Sequence, residues 1–361
     1  MSEPANQRIK ESANQRIKES AEFADSPIRS FAHSSFADSS FAHSFISVII
    51  PNWNGAHHLP VCLDSLQRQT YPEVEVIVAD NGSQDDSFKV LKRYPAVRVL
   101  ALGENRGFTG ACNAGFHAAR GEIQVLLNND TEVDPHWLAE IADAFARYPA
   151  VGLVASKMLL FDQRDTFHTA GDYVTPDGLA HNRGVWEKDE GQYDHAAYVF
   201  SACGGSAAYR RTMLDEIGLL DDDFFFSFED VDLAWRAQLA GWRCLYVPRA
   251  VVYHKLKASG GGVVASFHDG RNRIYTLLKN YPGDLWRIHW RSVLGAQLKL
   301  AWEALRLWRG AAARATLRGI AAGVGGIPKM WAKRRAIQAM RRVDAAYLMQ
   351  LMAPPYEIPL L

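Results

Sequence analysis

Short β-branched runs alternate with helical stripes from residue 46 to about residue 150. Ile46-Ser47-Val48-Ile49-Ile50 is stopped by Pro51 and suits a strand buried on both faces. Leu59, Cys62, Leu63 and Leu66 then share one stripe of a helix expected over 57–69. A second strand, Val74 to Ala79, ends in Asp80-Asn81-Gly82-Ser83, a turn signal that also suits the cap of a following helix. A third strand near 97–102 runs into Asn105-Arg106-Gly107-Phe108, and a fourth, 123–127, ends at Asn128-Asn129-Asp130. Asp134-Pro135 reads as the N-cap and first-turn proline of the next helix. Repeated strand–helix units predict an α/β fold with a doubly wound, mostly parallel central sheet and right-handed crossovers. Ligands of such sheets bind beyond the carboxyl ends of the strands. The polar clusters at 51–54, 80–83 and 128–130 all fall there.

From about 151 the alternation loosens. The stretch 160–200, rich in Asp, Gly, His and Tyr, predicts long loops and short antiparallel strands. A helix is expected over 229–240 and a strand over 243–247, and after 270 helical segments mix Leu and Trp with arginine. Three regions follow: a low-complexity tail at 1–44, a main domain at 45–270, and a basic helical C-terminal region at 271–361. The tail repeats Ala-Asn-Gln-Arg-Ile-Lys-Glu-Ser at 5–12 and 13–20, then alternates Phe-Ala-Asp-Ser with Phe-Ala-His-Ser. An octapeptide is too short for a solenoid unit, and the composition reads as disorder.

Composition sharpens this picture. A chain of 361 residues that is 48% hydrophobic sustains a large α/β domain with appendages. Its formal net charge is zero, so no overall field draws in nucleic acid. Carboxylates crowd 215–232, whereas 271–342 is strongly basic. Four widely separated cysteines without a Cys-x-x-Cys pair point to reduced thiols and a cytoplasmic protein. No export-type apolar stretch opens the chain, and no window of about 20 apolar residues predicts a membrane span. In the C-terminal region Leu294, Leu298, Ala301, Trp302, Leu305 and Trp308 form one helical stripe. Two readings of it stay open: peripheral contact with an anionic membrane surface, or a bundle that covers the domain or joins copies into a homo-oligomer.

The polar clusters suit a nucleotide sugar, which needs a slot for its base, neutralisation of its diphosphate, and a base opposite the leaving group. Asp80, on a rim with Pro51, Asn52, Asn54 and Asn81, suits the N–H of a pyrimidine; equally, it caps the next helix. Arg106, Gly107, Gly110, Asn113 and Gly115 form a glycine-punctuated helix entry, either anion-binding or a tight packing turn. Asn128-Asn129-Asp130 offers oxygen ligands suited to Mg²⁺ or Mn²⁺, or a strand-ending Asx turn. In Glu229-Asp230-x-Asp232, Asp232 and Arg236 are i,i+4 partners, which leaves Asp230 free as a general base with Glu229 beside it. Gly204-Gly205 permits close approach of a sugar on the acceptor side, or simply makes a turn. His254 ends an apolar strand-like stretch, as a structural residue or a metal ligand. His57, His58, His136, His168, His181 and His195 show no metal spacing.

Together these residues resemble the family-2 glycosyltransferases, most closely the rhamnosyltransferase-like branch. The resemblance runs from Val48-Ile49-Ile50-Pro51-Asn52-Trp53-Asn54-Gly55 through Asp80-Asn81-Gly82-Ser83, Asn105-x-Gly107-Phe108, Leu127-Asn128-Asn129-Asp130 and Glu229-Asp230-x-Asp232-Leu233-x-x-Arg236 to about Pro282. His254 and Arg271-Asn272-Arg273 follow at fitting distances. It implies a Rossmann-like sugar-nucleotide fold of the GT-A type and inversion at the anomeric carbon. It further implies that Asp80 contacts the nucleobase, Asp130 the metal, and His254 the metal or diphosphate, while Asp230 removes the acceptor proton. The implied donor is dTDP-L-rhamnose or another dTDP- or UDP-sugar. The implied acceptor is a glycan or lipid-linked hydroxyl in cell-surface polysaccharide synthesis. Asn128 stands where the family's Asp-x-Asp form has its first carboxylate, which leaves room for a degenerate sugar-nucleotide-binding or scaffolding protein. A nucleotidyltransferase would need a glycine-rich basic loop after the first strand, and 51–55 does not supply one.

Overall fold

A computed structural model describes residues 44–255 and 262–352. The expected tail lies outside the described residues, except for Ser44. The predicted alternation is present as β1 (Ile46–Asn52), α1 (Leu59–Gln67), β2 (Val74–Asp80), α2 (Ser87–Leu91), β3 (Arg98–Ala101), α3 (Gly107–Ala118) and β4 (Ile123–Leu127). β1 pairs in parallel with both β2 and β4, and β2 with β3, so four strand tips open on the same side. Val48, Ile50, Val125 and Leu127 feed one apolar cluster and Ile49 and Leu126 another. These strands are covered on both faces, which is why they read as continuous apolar runs.

The chain then departs from the simple pattern. β5 (Thr131–Val133) intervenes before α4 (Trp137–Arg147), which is followed by β6 (Val151–Leu160). Asp134 is therefore not the N-cap of α4: its carboxylate accepts the His136 N–H at 2.9 Å, forming a turn ahead of the helix. The loop-rich stretch carries β7 (Phe167–Thr169), β8 (Asp172–Val174), β9 (Ala180–Asn182) and β10 (Ala197–Val199). After it come β11 (Ser206–Arg210), α5 (Arg211–Ile217), α6 (Glu229–Leu239) and β12 (Arg243–His254). The main sheet runs β10-β12-β6-β11-β4-β1-β2-β3, with β11 antiparallel to both β4 and β6. β12 continues well past the expected end at 247. A register irregularity between Val247 and Val251 accommodates Pro248, which has no N–H for the ladder. Beyond it, β12 pairs with β5 so that His254 sits opposite Thr131.

Helices α7 (Val263–Asn280), α8 (Gly283–Arg306), α9 (Ala311–Gly325), α10 (Ile327–Ala339) and α11 (Ala345–Met352) complete the described chain. The boundary expected at 270 falls inside α7, which runs through it unbroken. Its far end is held by buried polar groups. Lys279 bridges Asp232 at 2.8 Å and also contacts Asp221, and Asn280 donates to Asp232 at 2.7 Å. The expected Asp232–Arg236 pair is present at 3.0 Å, as one edge of this larger network. Charges removed from water persist only when paired in this way. α7 is thus part of the main domain. All four cysteines are free thiols, three of them buried.

Candidate active site

A cleft of about 880 Å³ opens at the tips of β1, β2 and β4. Pro51, Asn52, Asn81, Asn128 and Asn129 line its strand-tip side. Asn129 donates to the Asn52 Oδ1 at 2.7 Å, and the Asn52 amide donates to the Asp80 Oδ2 at 2.8 Å, which ties three strand ends together. Gly55 leaves the room for this: a Cβ there would meet the Asn129 Nδ2 at 2.1 Å and the Asn52 Oδ1 at 2.3 Å. Asn81 accepts the Arg106 N–H at 2.9 Å and donates to the Gly107 carbonyl at 2.9 Å.

Four residues expected on the donor side do other work. Asp80 is fully buried, and its second oxygen accepts the Ser83 N–H at 2.9 Å. It shapes the turn rather than capping a helix, because α2 begins only at Ser87. Asn54 is exposed at φ +52°, with its side-chain oxygen held by the Gln84 N–H at 2.8 Å, and does not line the cleft. Arg106 is exposed and folds back toward Glu104 at 3.4 Å. Asn113 is buried, donating to the Leu220 carbonyl at 2.9 Å and accepting the Leu220 N–H at 3.2 Å. The glycines of this helix serve packing: a Cβ on Gly107 would strike the Phe225 carbonyl at 2.5 Å, and one on Gly115 the Ile49 side chain at 2.2 Å. The packing reading therefore holds for these glycines, Asn113 is spent on Leu220, and Arg106 lies outside the lining of the cleft.

Asp130 and His254 lie just beyond the lining, both buried. The His254 Nε2 is 3.1 Å from the Asp130 Oδ1, yet that oxygen makes no hydrogen bond. On its other side the His254 Nδ1 is 3.1 Å from the Nδ1 of His168, which lines the cleft. Burial, reinforced by His254, pushes the His168 imidazole down to about 3, so it is neutral at physiological pH. A buried, orphaned carboxylate oxygen beside an imidazole nitrogen is a donor pair suited to a divalent cation.

The loop side carries acids. Asp230 lines the cleft, and its two oxygens accept the Gly204 N–H at 2.8 Å and the Val231 N–H at 2.7 Å. Burial raises its proton affinity, and raises that of buried Glu229 further, with the Asp230 charge adding to the effect. Asp172 accepts from the Thr169 hydroxyl at 2.6 Å and is pushed up to about 8 by burial, with the Asp230 charge contributing. Ligand atoms of Asp172, Cys203 and Asp230 lie within 4.8 Å of one another. Burial holds the Cys203 thiol protonated, so this trio lacks a ready thiolate for a metal. Gly204-Gly205 joins the two sides. A Cβ on Gly204 would lie 3.3 Å from the Asp230 Oδ2, and one on Gly205 3.4 Å from the Asn128 Nδ2 and 3.6 Å from the His254 Cε1.

The profile of glycosyl transferase family 2 matches residues 47–218. The chain carries a family-2 glycosyltransferase domain. Among similar proteins is a Mycobacterium tuberculosis enzyme named N-acetylglucosaminyl-diphospho-decaprenol L-rhamnosyltransferase. It is 27% identical over 284 residues, covering 71% of this chain and 91% of that protein. An uncharacterized Sinorhizobium fredii protein, y4gI, is 31% identical over 232 residues, 60% of this chain, but the chain spans only 25% of its length. Two solved structures share the fold. The Pyrobaculum calidifontis mannosyltransferase PcManGT, in complex with GDP-Man and Mn²⁺, aligns with a TM-score of 0.50 at 19% identity over 85% of each chain. GalNAc-T7, with UDP, GalNAc and Mn²⁺, aligns with a TM-score of 0.55 at 18% identity over 65% of this chain and 48% of its own. The domain has the GT-A fold expected from the resemblance.

One stretch of the cleft is strained. Phe225, Ser227 and Phe228 sit at φ +62°, +67° and +69° and line the cleft with Phe226. Non-glycine residues in this region cost on the order of 1–3 kcal/mol each. The Asn272 amide holds them, donating to the Phe224, Phe226 and Ser227 carbonyls at 3.0, 2.8 and 2.7 Å. Arg271 adds bonds to the Asp223 and Phe224 carbonyls at 2.8 Å. The Arg271-Asn272 pair noted in the sequence is therefore a clamp on the cleft loop. His168 and Asp172 were passed over in the sequence; no spacing marks either, and only strand pairing brings them to the cleft.

Proposed function

We propose that this family-2 glycosyltransferase moves a sugar from a nucleotide donor to a hydroxyl of a glycan or lipid-linked acceptor, with inversion, in cell-surface polysaccharide synthesis. One observation carries the reading. Gly204-Gly205 lines the cleft between the Asp230 carboxylate, which faces it, and the His254 side chain, which lies just behind the lining beside Asp130. On this reading Pro51, Asn52, Asn81 and Asn129 receive the nucleotide. Asp80, fully buried behind them, holds Asn52 and the Ser83 turn in place. Asp130 and His254 would hold a Mg²⁺ or Mn²⁺ ion, which fits the orphaned Asp130 Oδ1. Such an ion, when bound, offsets the charge developing on the departing diphosphate.

Asp230 takes the proton of the acceptor hydroxyl as its oxygen bonds to the anomeric carbon and the bond to the diphosphate breaks on the opposite face. Its raised proton affinity suits a base, and the Gly204 N–H fixes its orientation. Glu229 lines the acceptor side beside it. Without side chains, Gly204 and Gly205 leave space for a sugar ring. dTDP-L-rhamnose is the preferred donor, supported by the name of the mycobacterial relative; other dTDP- and UDP-sugars are the alternatives. The test is a thermal-shift panel of nucleotide sugars with and without Mn²⁺, followed by donor hydrolysis without acceptor. The largest rise is expected for dTDP-rhamnose with Mn²⁺. A panel in which no nucleotide sugar raises the Tm would overturn the reading, and binding without any hydrolysis or transfer would mark a degenerate binding protein.

A further inference from the structure

Away from the cleft, α8 is the described helix that the fold leaves most uncovered. Of its 24 residues only Leu285, Val293 and Ala304 are buried. Trp286, Trp290, Leu294, Leu298 and Trp302 follow at four-residue steps and form one ridge. Each is between 43% and 60% exposed. Leu305, at 50%, extends it. The ridge from 286 to 302 is about 24 Å long. An apolar strip of this length normally turns toward a core or a partner.

The charge around the ridge selects the partner. Arg287 and Arg291 lie on the same side of the helix, exposed, and no carboxylate among the described residues pairs with either. Asp284, near the start of the ridge, is taken by Arg341 at 2.8 Å, and Glu303 faces Lys299 at 4.0 Å. The exposed surface is thus tryptophan and leucine with positive charge left over. Tryptophan and arginine together suit the boundary between lipid headgroups and acyl chains. Face-to-face pairing of two copies would bring like charges together at this ridge. No described helix is long and apolar enough to cross a membrane.

We propose that the Trp286–Trp302 ridge of α8 is a docking surface for an anionic lipid bilayer, with the helix lying along the interface. This goes beyond the sugar-transfer reading and does not depend on it. The test is co-sedimentation of the full chain with vesicles of phosphatidylcholine alone or with added phosphatidylglycerol, at low and high salt and without any sugar. Wild type should pellet with the anionic vesicles, less with neutral ones, and less again in high salt. The triple variant Trp286→Ser, Trp290→Ser, Leu298→Ser should bind about tenfold or more weakly with a modest loss in Tm, because about half of each side chain is already exposed. Arg287→Gln with Arg291→Gln should remove the preference for anionic vesicles, which decides the matter even if the triple variant folds poorly. Wild type left in the supernatant with both vesicles would overturn the proposal, as would a triple variant that pellets like wild type. So would a wild-type dimer that the triple variant dissociates with no vesicle binding in either, which would make the ridge an interface between copies.

Discussion

On the strand-tip side of the cleft, Asn129 donates to Asn52, Asn52 to Asp80 and Asn81 to the Gly107 carbonyl, and Asp80 and Asp130 sit buried behind them. On the loop side, Asp172, Glu229 and Asp230 line the cleft as acids whose proton affinity burial has raised. The first side presents uncharged amides to the cleft, backed by two buried carboxylates, and is fixed by parallel strand pairing. The second is titratable and fixed by contacts between loops and α7. A nucleotide is bound best by groups that do not change charge, and a proton is moved best by groups that do. On the proposed reading the two sides divide binding from proton transfer, and variants on each should fail differently.

Asp230→Asn gives the sharpest break. It keeps the shape and loses the proton acceptor, so transfer should fall by about 10²–10⁴-fold while donor binding persists. Single-turnover transfer and donor calorimetry on the same variant measure both halves, and unchanged turnover would remove Asp230 from the mechanism. Asp130→Ala should do the reverse. Loss of a charge-assisted contact of about 1.5–3 kcal/mol should weaken Mn²⁺-dependent donor binding roughly tenfold or more. Calorimetry with and without Mn²⁺ reads this directly; equal loss in both conditions would detach Asp130 from the metal.

Asn272→Ala tests how the loop side is held. It removes three hydrogen bonds from a loop with strained residues at 225, 227 and 228, at a cost of roughly 1–3 kcal/mol. Turnover should fall more than the Tm, because the released strain lies in cleft-lining residues. A Tm loss with normal turnover would make the clamp purely structural.

The same division explains what could be read from the chain. Asn52, Asn81 and Asn129 were legible because each follows a buried apolar run, and local pattern places strand ends. Asp230 was legible because an acid at a helix start, next to a paired Asp232 and Arg236, stands out. His168 meets His254 across 86 positions of sequence, and only the pairing of β7 and β12 with β6 brings them together. Asp172 depends in the same way on β8 and its surrounding loops. Asn113 misled because glycines that admit a ligand look the same as glycines that admit Ile49 or Phe225. The boundary at 270 misled because Asn272 and Lys279 resemble solvent-facing residues until their partners Phe224 and Asp232 are known.

Asp172→Asn should have the smallest effect and the most specific signature. The wild-type carboxyl titrates near 8 in the fold, against an ordinary value of 3.8, through burial and the nearby Asp230. The folded state therefore holds a proton that the unfolded chain releases between about pH 4 and pH 8. Stability falls as pH rises through that window and levels off above it, which is the sign for a raised acid. The groups around Asp172 are Asp230, Cys203, Arg183 and Cys244, and the two thiols are held protonated by burial throughout. Asn keeps an oxygen for the Thr169 hydroxyl and the Asn182 amide but has no proton to lose. The alkaline decline in Tm should therefore become clearly shallower, with little change near pH 4. Glu229 and Asp230 titrate on the same side and should leave a residual slope. Tm profiles of wild type and variant that stay parallel from pH 4 to pH 8 would show that Asp172 carries no extra proton, and that the loop side is less distinct from the strand-tip side than its burial implies.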